Sequence, residues 1–138
     1  TYSMSNYHGN TYMDMPLSQK VFLAQFDTIK RIAKENSCVI VGRCADYALS
    51  DEPNCINAFI YADKNYRIKR VAHDLGVSES KAKDMVNRTD KERASYYNFY
   101  TNKKWGDSRS YDLALNSEKL GIDGCVDMLI RYAAINHQ

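Results

Sequence analysis

Three short apolar runs constrain the fold of this chain more than any other feature of its sequence. They are CVIVG at 38–42, INAFIYA at 56–62 and YDLALN at 111–116, and stretches with helical spacing separate them. Short, mainly apolar runs are typical of strands that are buried on both faces, and such strands belong to parallel sheets. The pattern therefore predicts an α/β domain in which a parallel sheet is flanked by helices.

The stretches outside the three runs predict four helices. The first begins near Ser18, and Asp63 is the expected N-cap of a second helix that stops at Gly76. Ser78 starts a third helix, and a fourth is expected over about 123–133. The positions of the fourth helix that are expected to face inward are Val126, Leu129, Ile130 and Ala133.

The length and composition fit one globular domain spanning 1–138. Apolar residues make up 44% of the 138 residues and charged residues 26%, an ordinary balance for a folded domain. Residues 1–16 have no periodicity and are expected to form a loop. No apolar run approaches the roughly 20 residues that a membrane helix needs, and the N-terminus lacks a signal-peptide pattern. We expect a cytoplasmic protein without membrane contact, and a homo-oligomer is an open alternative.

The four cysteines indicate neither disulfides nor a metal site. They are Cys38, Cys44, Cys55 and Cys125, and they form no CxxC pair and no Cys/His zinc spacing. Cys38 and Cys55 adjoin apolar runs, so we expect free, mostly buried thiols in a reducing compartment. The alternative for Cys44, which follows Gly-Arg, is a reactive thiol.

Positive charge is concentrated in one segment. Residues 81–109 hold eight Lys/Arg against four Asp/Glu, whereas the whole chain has a net charge of only +2. A locally basic segment in a nearly neutral chain favours an anionic ligand that is contacted at one place. A small RNA-binding module that uses this segment is a less favoured alternative, because the net charge argues against nucleic acid as a partner.

Polar side chains follow directly after the first apolar run. Gly42 allows the backbone to turn, and Arg43 and Asp46 then lie at the carboxyl edge of the predicted sheet, where α/β proteins bind ligands. A guanidinium there can bind a phosphate in a bidentate way, and a carboxylate can accept from an amino or hydroxyl group. The alternative is that the two side chains pair with each other.

Further arginines follow the second run. Arg67 and Arg70 are three residues apart and share a helix face, either toward a ligand or as solvated charges. Arg93 falls within the apolar stripe of the third helix, so its expected partner is a ligand phosphate or a carboxylate such as Asp112. The segment ASYYNFYTNKKWGDSRSYD, 94–112, mixes aromatic and basic residues. Its aromatic rings either stack on bases or belong to the core, and we favour the core.

Four motifs in this order resemble the cytidylate-kinase-like family of P-loop nucleoside monophosphate kinases. They are CVIVGRCADY, the ADxxxRIxRV that follows the second run, NRTDKERASYYNFYTNKKWG, and YDLALNSEKLGIDGCVDMLI, and the resemblance covers roughly 17–135. It implies a P-loop NTPase fold with a five-stranded parallel sheet. It also implies a nucleotide-acceptor region that includes 1–16 and a lid over about 78–109.

The resemblance implies transfer of the ATP γ-phosphoryl group to CMP or dCMP with Mg²⁺. Gly42 and Arg43 match the family's acceptor-binding Gly-Arg-Asp, but Cys44 stands where that Asp would be, and Asp46 is the candidate to replace it. The residues implied to face ATP are Arg67, Arg70 and Lys91. The implied catalytic arginines of the lid are Arg88 and Arg93, although the family's Arg-Asp-x-x-Asp-Ser register is not reproduced. A non-catalytic nucleotide-binding homologue is the alternative function.

The glycine-rich phosphate loop of that family is absent from these residues. The six glycines, at 9, 42, 76, 106, 121 and 124, form no GxxxxGK[ST]. In the family this loop follows the first strand, which lies between the strands expected at 38–42 and 56–62. We therefore expect an N-terminally truncated kinase-like domain that has no kinase activity by itself. The missing strand must be supplied from elsewhere, unless the sheet departs from the family's order.

Overall fold

The computed structural model describes residues 15–136 and divides the chain into two compact units, Thr1–Leu49 and Ser50–Gln138. The loop predicted for residues 1–16 lies almost entirely outside the described part of the chain. In chain order the elements are α1 (Leu17–Glu35), α2 (Ala45–Ala48), β1 (Ala58–Tyr61), α3 (Lys64–Leu75), α4 (Glu79–Thr101), a 3₁₀ turn (Ser108–Ser110), β2 (Leu113–Asn116) and α5 (Ser117–Asn136).

The first unit is built on contacts between α1 and the short helix α2. Ile29 is buried on α1, and the ring of Phe26 meets Tyr47 edge-on with centroids 6.0 Å apart. Ala48 and Leu49 are buried at the end of α2. The predicted first helix is confirmed.

The strand predicted at 38–42 does not form. Residues 37–41 have no regular secondary structure, and Val39 and Val41 are 94% and 88% exposed. The prediction of a buried strand here is therefore wrong for the described chain. The physical reason is that a strand needs a neighbour for its backbone N–H and C=O groups, whereas the sheet formed by the described residues pairs only β1 with β2.

The second unit contains a helical hairpin formed by α3 and α4. Ile68, Ala82 and Val86 form its buried core. The Asp63 side chain caps α3 by accepting from the Asn65 N–H at 2.8 Å. The predicted start of α4 is confirmed as well: Ser78 caps α4, and Gly76 is the C-cap of α3.

The second unit also contains a small parallel sheet. β1 and β2 pair in parallel, from Ala58 opposite Leu113 to Tyr61 opposite Asn116, and α5 contacts both strands. The runs at 56–62 and 111–116 thus contain the predicted strands. The described architecture is α/β, with a two-stranded parallel sheet flanked by helices.

The last helix forms over the predicted range of about 123–133, but it begins earlier than predicted. α5 begins at Ser117, directly after β2, and is interrupted at Gly121, whose φ of 70° is not helical. Cys125 is its buried residue, whereas Val126 and Ile130 are 46% and 62% exposed. The inward positions predicted for those two residues are wrong, because the sheet that α5 covers is only two strands wide.

None of the four cysteines forms a disulfide, as predicted. Cys44 and Cys125 are buried and Cys55 is half-buried, but Cys38 is exposed, which corrects the prediction for that residue. Cys38 belongs to the unpaired run, so nothing covers it in the described chain. No helix in residues 15–136 is long and apolar enough to span a membrane.

Candidate functional site

Three consecutive residues after the first apolar run adopt left-handed backbone conformations. Gly42, Arg43 and Cys44 have φ values of 71°, 57° and 56°. Glycine adopts this conformation freely, but an L-residue with a side chain loses roughly 1–2 kcal/mol there. Two strained residues in succession are uncommon, and such strain is concentrated at functional sites.

Burial and hydrogen bonds hold this turn in place. The Cys44 side chain is only 3% exposed, and the Ala45 N–H donates to the Gly42 carbonyl at 3.1 Å. Burial and, to a smaller extent, the nearby charge of Asp46 together raise the pKa of the Cys44 thiol to about 11. The buried Cys44 thiol is therefore protonated and is not a reactive thiolate. Because Cys44 is fixed in the interior, the exposed Arg43 next to it is held at a defined position.

Arg43 forms part of the wall of an open groove of about 380 Å³ in the first unit. The groove volume lies near the lower end of the range for small-molecule sites, which starts at about 300 Å³. Arg43 is the charged residue among those that line it. The lining residues are Val21, Ala24, Gln25, Thr28, Ile29, Ile40 and Arg43.

The structure distinguishes between the two roles suggested for Arg43, which are to bind a ligand or to pair with Asp46. Arg43 is exposed and forms no ion pair with any described residue. The alternative in which Arg43 and Asp46 pair as scaffolding is therefore not what the structure contains. A guanidinium at the wall of a mainly apolar groove can bind an anionic group of a small molecule.

A second cluster of polar groups lies at the carboxyl ends of β1 and β2. The Ser117 hydroxyl donates to the Tyr61 carbonyl at 3.1 Å, and Glu118 accepts from the Asp63 N–H at 3.4 Å. Arg67 on α3 joins this cluster, because its Nε donates to the Ala62 carbonyl at 3.2 Å. The strand ends of the second unit are thus tied to the first turns of the helices that follow them.

Arg67 also forms the shortest and least exposed ion pair of the α3–α4 hairpin. Its Nη1 lies 2.9 Å from both carboxylate oxygens of Asp90 on α4. Sequence reasoning missed Asp90, although a signal existed. It follows Ala82 and Val86 at intervals of four on the inner face of α4, and a carboxylate there needs a cationic partner.

The remaining basic residues of α3 and α4 lie on the surface. Arg70 is 3.5 Å from Asp74 and Arg88 is 3.9 Å from Glu92, both as exposed i,i+4 pairs. Lys91 is exposed as well. The structure therefore brings these predicted residues onto one helical hairpin without gathering their charges into a single cluster.

Arg93 corrects a prediction about α4. It is exposed, and it has no ion pair within the described chain. Positions 90 and 93 both lie within about 40° of Val86 around the helix axis, so helix geometry alone does not separate them. Asp90 contacts Arg67 on α3, whereas the long Arg93 side chain extends into solvent. The suggested partner Asp112 instead accepts from the Asn57 N–H at 2.7 Å.

Most of the aromatic segment is core, as favoured from the sequence. The rings of Trp105 and Tyr111 pack on Phe59 with centroid distances of 5.5 and 5.0 Å, and Tyr97 is buried. Phe99 is the exception at 70% exposed. Trp105 and Tyr111 are therefore half-buried residues whose rings make contacts within the protein.

The described part of the chain defines an α/β protein with a candidate anion-binding groove and an arginine-bearing helical hairpin. A family model described as the cytidylate kinase-like family matches residues 1–119, and the chain belongs to that family. The chain is also similar to the crystal structure of an uncharacterized protein from Eubacterium ventriosum ATCC 27560. The two share 44% identity over 86% of this chain and 74% of that one, with a TM-score of 0.80. No curated protein matches the chain.

Proposed function

We propose that this chain is part of a nucleoside monophosphate kinase that transfers the γ-phosphoryl group of ATP to CMP or dCMP. One observation carries the proposal: a strained turn holds Arg43, which has no ion-pair partner among residues 15–136, at the wall of an open groove in a chain of the cytidylate kinase-like family. In this proposal Gly42 permits the turn and Arg43 binds the phosphate of the acceptor. Asp46 accepts from the base or ribose in place of the residue that Cys44 has replaced.

Phosphoryl transfer depends on positioning and on positive charge around the moving group. The proposed ATP-facing residues Arg67, Arg70 and Lys91 would supply such charge, together with Arg88 and Arg93. Four of the five are exposed or held in weak surface pairs, which supports their availability to a ligand. Arg67 is the exception, because Asp90 and a carbonyl orient it.

Magnesium fits the described residues poorly. No group of three or more His, Cys, Asp or Glu side chains in residues 15–136 is arranged to hold a metal ion. The sequence also contains no GxxxxGK[ST] loop, whose Ser or Thr and backbone amides bind Mg²⁺ and phosphates in such kinases. We therefore assign no residue to Mg²⁺ and derive no step through it.

The second candidate is a nucleotide-binding homologue without catalysis. The same lack of a glycine-rich loop in these residues favours it. The two candidates differ in turnover and not in CMP binding. The polypeptide with any upstream sequence it naturally carries should convert ATP and CMP to ADP and CDP under the first candidate, and should bind CMP without turnover under the second.

Both candidate functions require CMP to bind at Arg43, and calorimetric titration measures the affinity of that binding. Replacing Arg43 with Ala should weaken CMP and dCMP binding by roughly 10- to 150-fold, the equivalent of one charge-assisted contact. Arg131→Ala, which removes the same charge from an exposed position of α5, is the control and should retain the affinity. Equal affinities for the unchanged chain and Arg43→Ala would refute the site.

A further inference from the structure

Arg67 connects three elements at the carboxyl end of β1. Its Nε donates to the carbonyl of Ala62 at 3.2 Å, and its Nη1 lies 2.9 Å from each carboxylate oxygen of Asp90. Asp90 is 23 residues further along the chain, on the opposite helix of the hairpin. These contacts engage Nε and Nη1, and Nη2 has no recorded partner within the described chain. The guanidinium is therefore oriented by protein groups while one of its nitrogens stays available.

The pair differs from the other arginine pairs of the hairpin in burial. The Arg67 and Asp90 side chains are 34% and 28% exposed, against 50% and 54% for Arg70 and Asp74. A shorter and less exposed pair orders its arginine more firmly than a solvated surface pair does. Because immobilising a long side chain opposes binding, an arginine that is ordered before the ligand arrives binds it more tightly.

We propose that Asp90 is a positioning residue that holds Arg67 so that Nη2 can bind a phosphate oxygen of a nucleoside triphosphate. The inference rests on the proposed function, in which Arg67 faces ATP, and it adds a residue that neither the sequence motifs nor the family resemblance assigned. Asp90 does not touch the ligand in this arrangement. It acts through the orientation of Arg67.

ATP titration by calorimetry tests the inference on the unchanged chain and four variants. Asp90→Ala should weaken ATP binding by roughly three- to tenfold, because Arg67 must then be ordered by the ligand. Asp74→Ala removes a carboxylate from the exposed Arg70 pair, and it should leave ATP affinity unchanged or slightly tighter. Arg67→Ala should also weaken binding. The double variant Arg67→Ala/Asp90→Ala should bind no more weakly than Arg67→Ala alone.

The double variant separates positioning from a general structural role. If Asp90 merely joins the two helices, Asp90→Ala lowers the melting temperature but leaves the ATP affinity of the folded protein unchanged, which overturns the inference. A gain in affinity also overturns it, because Asp90 would then compete with phosphate for Arg67. A further loss of affinity in the Arg67→Ala background overturns it as well.

A more conservative variant and the CMP titration complete the design. If Asp90→Ala does not fold, Asp90→Asn keeps the side-chain volume and one acceptor oxygen, and it should weaken ATP binding less than tenfold but measurably; unchanged or tighter binding there overturns the inference. If the unchanged chain binds no ATP, both this inference and the ATP site of the proposed function fail. CMP binding through Arg43 is measured separately and can survive that result.

Discussion

Replacing Arg43 with Gly should remove acceptor binding and at the same time stabilise the protein relative to Arg43→Ala. Residue 43 has a φ of 57°, where a residue with a Cβ loses roughly 1–2 kcal/mol and glycine does not. Part of this advantage of glycine, roughly 0.5–1 kcal/mol, is lost because glycine has a larger conformational entropy in the unfolded chain. The net expectation is that Arg43→Gly is more stable than Arg43→Ala by about 0.5–1 kcal/mol.

Urea unfolding of the two variants measures this difference directly. Both variants lose the guanidinium and its charge, so the comparison isolates the backbone. CMP titration of the same two samples should show equally weak binding. An Arg43→Gly variant that is less stable than Arg43→Ala would refute the claim that the turn stores strain to present Arg43.

Other parts of the structure give three further predictions. Asp63→Ala should lower the free energy of unfolding in urea by about 1 kcal/mol, because it removes the N-cap of α3. Gly76→Ala should lower it by about the same amount, because φ at this C-cap is 61°. A decrease of less than a few tenths of a kcal/mol in either variant would argue against that cap. The folded pKa of Cys44, about 11, lies above the ordinary value of 9.0 mainly because of burial. The stability that its neutral thiol contributes should therefore be complete below pH 9 and be lost as the pH rises toward 11, and a thiol reagent at neutral pH should modify exposed Cys38 well before Cys44. The 138-residue chain alone should not phosphorylate CMP with ATP, and turnover at the roughly 1–100 per second of ordinary kinases would contradict the account.

Local signals predicted the helices of this chain well. Asp63, Gly76 and Ser78 end or begin helices where their backbone and side-chain chemistry requires it, and the structure uses each in that role. Such signals act within a few residues, so they hold whatever the rest of the fold does. The strands at 56–62 and 111–116 were found because each has the other as its partner.

The run at 38–42 shows where sequence reasoning fails. Its composition is that of a buried strand, but a strand is stabilised by its neighbours and not by its own residues. The described chain provides no neighbour, and Val39 and Val41 face solvent. The exposed side chains of Ile122, Val126 and Ile130 on α5 have the same cause on the other unit, which has only two strands for α5 to cover.

The candidate site was predicted in part. The motif identified Arg43, but the left-handed turn and the groove depend on backbone angles and on α1, which no motif encodes. The helical stripe placed Arg93 inward, whereas the structure gives that face to Asp90. Positions 90 and 93 are only about 60° apart around the helix axis, so the apolar stripe could not tell which of the two side chains contacts the protein.

The most direct test of the proposed Arg43 site is to determine where CMP binds on the chain. Two-dimensional ¹⁵N NMR spectra of the 138-residue chain, recorded during a CMP titration, report binding at each backbone amide. We expect the largest shifts in residues 40–46 and at the groove-lining positions of α1, and Arg43→Ala should abolish them. Shifts confined to residues 81–109, or no shifts at all, would contradict the proposed site.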